Sequence, residues 1–136
     1  MNKSIEELVI NAFILKRRRE RVWFELTNSK KREKFLWRMQ NTGIFDSSCM
    51  ERISQPIESP QIVYDILKKR GAPDACYVMC IYSPYDGQIV TLEQGLTDVV
   101  FKGPGLISCI HGELAYLEDE GTCGPGPPER FLLVKK

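Results

Sequence analysis

Ten lysines and arginines fall between Lys16 and Arg38, against Glu20, Glu25 and Glu33, with Trp23, Phe24, Phe35 and Trp37 interleaved among them. Cations clustered along helices, with aromatic rings for stacking, supply what binding to a phosphate backbone requires. No helix-turn-helix, zinc-finger or other named signature accompanies the segment, so the pattern specifies charge and no base-reading element. Arg17, Arg18, Arg21, Lys30, Lys31 and Arg32 are the expected cations of such a face, and Trp23 or Trp37 supplies its contact area. A solvated helix surface with its aromatics turned to the core has the same composition. So does a face that meets an acidic protein. Residues 1–42 hold 11 Lys and Arg against 5 Glu, a balance of +6, whereas residues 43–136 hold 8 against 13 acids, a balance of −5.

The second set of chemistry-bearing residues lies near the end of the chain. His111 is the only histidine, so a base titrating near neutral pH could come from no other side chain. It stands next to Gly112 between two apolar runs, where a tight hairpin needs positive backbone angles, and that role accounts for it without chemistry. Ser108 has no GxSxG elbow around it to make it a nucleophile. Cys76 and Cys80 share a strand face about 13 Å apart, too far to hold one ion, and no CxxC or histidine pair is present, so neither a metal nor any other cofactor is expected. Cys123 sits in a glycine-rich loop as a thiol open to oxidation, although Glu118, Asp119 and Glu120 nearby would raise its pKa.

Two loops, Gly103 to Gly105 and residues 118–129, flank this hairpin. A small enzyme or ligand-binding domain would place its pocket between them, with Ser108, His111, Glu113, Tyr116, Glu118 and Cys123 as candidate groups. Neither loop contains GK[ST] or GxGxxG, and each leads into a strand, so a phosphate held at a helix start is not expected there.

Periodicity supplies the elements that must position these residues. Ser4 with Glu7 makes a capping box, and Ile5, Leu8, Ala12, Leu15, Val22 and Leu26 follow at helical spacing, broken only at Arg19, which predicts one helix from Ser4 to Thr27. Its first half, residues 5–15, is apolar on nearly every side and should be buried in this chain or against a second copy, a homodimer. Ser29 starts a second helix that runs to about Gln40. Residues 43–58 show no period and read as a surface connection. Ser59-Pro60 opens a third helix with Ile62 and Ile66, and Val63 with Leu67 beside them, inward, closed by Gly71. Ala75 to Tyr82 is apolar at every position, as in a central strand covered on both faces. Gln88 to Val90 pairs briefly with it, and Thr91 with Gln94 caps a fourth helix ending near Lys102. In the hairpin, Cys109 should face Leu114 and Ile107 face Tyr116, with Ile110 opposite Glu113 and Ser108 opposite Ala115 on the other side. Phe131 to Val134 is a last strand.

The expected fold is a single α+β domain over residues 1–136: a basic helical pair (1–42), a connection (43–58), and a helix-plus-sheet part (59–136). The order αααβ(β)αβββ implies helices on one face of a mainly antiparallel sheet of four or five strands. The run Leu8 to Leu15 is far short of a membrane span, the first residues do not read as a signal peptide, and five cysteines, an odd number, favour a reducing, cytoplasmic setting. The leading functional expectation is a non-enzymatic binding or regulatory module that engages nucleic acid or an acidic protein through residues 16–38. The small-enzyme pocket and a structural homodimer through residues 5–15 are the alternatives.

Overall fold

The computed structural model describes residues 1–119 and 129–135. Five α-helices among them surround a six-stranded sheet. The helices are α1 (Lys3–Phe13), α2 (Arg19–Thr27), α3 (Arg32–Arg38), α4 (Pro60–Lys69) and α5 (Leu92–Val99). The strands are β1 (Met50–Arg52), β2 (Ala75–Cys80), β3 (Ile89–Thr91), β4 (Gly105–Ile110), β5 (Leu114–Glu118) and β6 (Arg130–Val134). Every pairing is antiparallel, in the order β1-β6-β5-β4-β2-β3. The chain is therefore α+β, with one strand more than the largest number expected.

The helices do not share one face. Tyr77, Met79, Leu106, Ala115, Leu117, Phe131 and Leu133 turn toward α1, α2 and α3, where they bury Val9, Phe13, Val22, Leu26 and Phe35. Their neighbours along the strands, Cys76, Val78, Cys80, Ile107, Tyr116 and Leu132, turn the other way onto Val63 and Leu67 of α4 and Leu92, Leu96 and Val99 of α5. The two-residue alternation of a strand sends successive side chains to opposite faces. A run as uniformly apolar as β2 can be covered only if both faces carry helices. That requirement corrects the one-faced arrangement.

Three local expectations also change. The Ser4–Thr27 helix is interrupted: α1 is capped by Asn2, whose side chain accepts from Ile5 N, and it ends at Phe13. Ile14 is extended and forms a bridge with Phe45. Leu15 N donates to Ile44 O at 3.0 Å and Asp46 N to Phe13 O at 2.7 Å. These long-range backbone bonds replace the helical ones, and the Nε of Arg19, the one break in the apolar row, donates to Ile14 O at 3.0 Å. The second helix begins at Arg32 and not at Ser29, because Lys31 and Arg32 donate their N–H groups to Asn28 O. Inside the supposed connection, β1 pairs Met50, Glu51 and Arg52 with Leu133, Leu132 and Phe131 as an edge strand. On α4, all four expected inward residues are at least half-buried, Val63 and Leu67 fully and Ile62 and Ile66 in part.

The β4–β5 hairpin keeps the expected pairs Ile107–Tyr116 and Ser108–Ala115, then shifts at a bulge so that Ile110, not Cys109, faces Leu114. Gly112 has φ +81, whereas His111 has no positive angle, which leaves the turn's backbone requirement to the glycine alone. The apolar start of the chain is covered by its own sheet: Ile5, Val9, Ile10, Phe13 and Ile14 are buried and Leu8 is exposed. Intramolecular burial thus meets the demand that motivated a second copy. No helix among the described residues is long and apolar enough to cross a membrane.

Candidate functional site

A short loop between α2 and α3 makes the two helices an antiparallel hairpin, which brings the start of α2 beside the end of α3. The basic residues at those two ends therefore meet. Arg17, Arg18 and Arg21 on one side and Lys34 and Arg38 on the other line an open groove of about 670 Å³. The two helix surfaces are tied by Glu25, whose carboxylate is only 1% exposed. It accepts from Arg38 Nη1 at 2.5 and 2.7 Å and from Arg21 Nε at 3.4 Å. One buried carboxylate thus pairs with two of the five cationic groups that line the groove, a balance of +4 for that set. Among the described residues no carboxylate lies within ion-pair distance of Arg17, Arg18 or Lys34. Partly unpaired cations crowded around a concavity create a field that an incoming anion relieves.

Not every residue of the expected face belongs to it. Arg32 is 4% exposed and points into the molecule. Its Nη1 donates to Glu6 Oε1 at 2.8 Å, and its Nε and Nη2 donate to Asp86 Oδ2 and Oδ1 at 2.9 and 3.1 Å. The Tyr77 hydroxyl donates to Glu6 Oε2 at 2.5 Å and accepts from Asn2 N at 3.0 Å, so α1, α3, β2 and the turn after it are bound into one buried network. Burial alone would lower the Arg32 pKa, but the bonds to Asp86 and Glu6 outweigh it and the pKa is raised. Burial, then the bond to Glu6, raises that of Tyr77. Arg32 is therefore removed from the binding face.

Trp23 is half-buried against the core and lines a separate concavity of about 220 Å³ between α1 and α2. Trp37 is also half-buried, its ring edge-on to Tyr82 with centroids 5.3 Å apart. Lys30 and Lys31 are exposed at the loop end of the helical hairpin. Lys34 and Arg38 were not singled out from sequence, and neither was Phe24, which is 52% exposed on α2 with Lys31 Nζ 5.9 Å from its ring centre. The signal for the two cations was present, since Lys34 and Arg38 stand four apart on α3.

The second candidate set does not converge. Ser108 faces the α1 side of the sheet, while Tyr116 and its partner Ile107 face α4 and α5. Ser108 Oγ lies 2.7 Å from His111 Nδ1, but Ser108 is completely buried, and burial holds the His111 pKa below its ordinary value. Glu113 is exposed in the turn. Glu118 lies at the other end of β5, about 16 Å away at strand rise. Its carboxylate is buried and accepts from the Tyr116 hydroxyl at 2.8 Å, Arg130 Nε at 2.9 Å, Gly103 N at 3.0 Å and Phe101 N at 3.3 Å. Burial and then Glu118 raise the Tyr116 pKa. This closed set fastens the turn after α5 to the end of β5, and a Cβ on Gly103 would lie 2.6 Å from Asp119 O, which leaves no gap between those segments. Cys123 and the 120–128 part of the second loop lie outside the described residues. The described residues contain no cluster of three or more His, Cys, Asp or Glu able to hold a metal ion.

No protein-family model, curated protein or solved structure matches the chain.

Proposed function

We propose that this protein is a binding module that engages an acidic partner, nucleic acid or protein, through the groove between α2 and α3. The observation that supports it is the gathering of Arg17, Arg18, Arg21, Lys34 and Arg38 around one open concavity with only Glu25 to neutralise them. Burial and two carboxylates account for Arg32, and ion pairs account for Arg21, Arg38, Arg52, Lys68, Arg70 and Arg130. Nothing of the kind accounts for Arg17, Arg18 and Lys34.

The reading is tested by titrating labelled single-stranded and duplex oligonucleotides, and an acidic peptide, at 50 and 200 mM salt. If all five cations meet phosphates, affinity falls by about two orders of magnitude between the two salts, given a slope of roughly 0.7 to 0.9 per phosphate contact. The Arg17→Glu/Arg18→Glu variant binds none of these ligands. Absence of binding by the wild-type protein at 50 mM salt, or binding indifferent to the double substitution, disposes of the groove as a partner site.

A further inference from the structure

Phe24 is out of place for a core residue. Of the six phenylalanines, Phe13, Phe35, Phe45 and Phe131 are buried, and Phe101, though exposed, lies beneath the Arg130 guanidinium at 5.3 Å. Phe24 alone presents its ring on the surface that carries the groove. It follows Arg21 by three residues on α2, which puts the two side chains on neighbouring positions of the helical surface, with Phe24 about 4.5 Å further along the axis. The ammonium of Lys31, an exposed side chain, stands 5.9 Å from the ring centre. The hairpin surface therefore reads, from its open end to its loop, as a cationic groove, an aromatic face and a further pair of lysines.

We infer that the partner is a single-stranded nucleic acid, with its phosphates in the groove and one base stacked on Phe24. This rests on the groove being an anion site, and it adds the class of anion. Carboxylates satisfy the cations but carry no aromatic face to stack on the ring, and a duplex keeps its bases within the stack. A single strand offers both phosphates and free π-faces, the combination for which cationic channels with exposed aromatics are suited. When the base takes the ring, Lys31 moves from it to an adjacent phosphate, so its charge is retained in the complex.

The test compares the full chain's affinity for an oligothymidine, an oligouridine and an abasic phosphodiester strand of equal length, beside the matching duplex. Wild-type protein binds the base-bearing strands about tenfold more tightly than the abasic one, the usual order for one stacked base. Phe24→Ala brings the oligothymidine down to the abasic level and leaves abasic binding and the unfolding midpoint unchanged, and Phe24→Trp restores the preference. Equal affinity of the wild type for thymidine and abasic strands, a duplex bound more tightly than either, or a Phe24→Ala loss that is the same on all strands overturns the stacking role while the groove reading stands. An acidic peptide bound in preference to every strand moves the partner to protein. No binding of any strand or peptide at low salt ends both readings. Equal binding of oligothymidine and oligouridine fits a contact made through phosphates and base faces alone.

Discussion

Replacing Arg32 by methionine should destabilise the fold without touching the groove. The guanidinium satisfies two carboxylates at once, and their environments decide the cost. Asp86 is 21% exposed, keeps its bond from Cys80 N at 3.1 Å and can turn toward water, so its share is small. Glu6 is almost wholly buried and would keep only the Tyr77 hydroxyl. Removing one partner of a buried ion pair costs about 3–5 kcal/mol, because the remaining charge has no counterion. Out of a total stability of about 5–15 kcal/mol for a domain, that is a loss of about a fifth or more. Urea unfolding followed by the fluorescence of Trp23 and Trp37 measures it. Adding Glu6→Gln to Arg32→Met removes the stranded charge and should recover about 2 kcal/mol, and the Glu6→Gln variant alone completes the double-mutant cycle that isolates the coupling. A loss under about 1 kcal/mol, or a second substitution that recovers nothing, would mean that the network does not anchor α1 to α3. Affinity for acidic ligands, measured where the variant is folded, should equal that of the wild type, since Arg32 does not reach the groove.

The groove cations at the start of α2 oppose the helix dipole, so Arg17→Glu/Arg18→Glu should raise stability by about 1 kcal/mol while it abolishes binding; a fall in both would make those arginines structural. Gly95→Ala should destabilise by about 1–3 kcal/mol despite alanine's better helix propensity, because the new Cβ would lie 2.6 Å from Cys76 Sγ; chemical denaturation decides the sign, and a stabilised variant refutes the tight α5–β2 contact. Burial pushes the thiols of Cys76 and Cys109 up to about 12, so at pH 8 both should resist a disulfide reagent until the protein is unfolded; peptide mapping that finds either one labelled within minutes in native protein contradicts the packing.

What could be read from sequence was set by how local its cause was. Thr91 Oγ1 accepts from Gln94 N at 3.1 Å as its spacing implied, and Pro60 opens α4 behind Ser59, because caps and prolines act within one turn. The α+β class followed from the same local signals. The break at Ile14 was hidden because its cause, the pairing with Phe45, lies thirty-one positions away. Strand β1 was hidden because a three-residue edge strand has no room for alternation and exposes Glu51 and Arg52. The two-sided cover of the sheet was legible in the uninterrupted apolar run of β2, but the order of elements argued for one face, and the run was the better guide. In the basic segment composition alone could not separate Arg32, which serves Glu6 and Asp86, from Arg17, which serves no acid among the described residues. That distinction depends on which carboxylates the tertiary fold brings near.

Both margins of the sheet are strands of three residues. A margin with free backbone donors and acceptors is where another chain can add itself and start a fibril. Along β1, Glu51 is held by Arg70 at 2.8 and 2.9 Å and Arg52 by Glu129 at 2.7 Å, which lines that border with charged side chains. At the opposite border, β3 runs directly into α5 at Thr91, so the backbone turns out of the ladder before a fourth residue could be offered. Six strands pair side by side, and neither border presents a length of backbone on which a seventh, from another molecule, could settle.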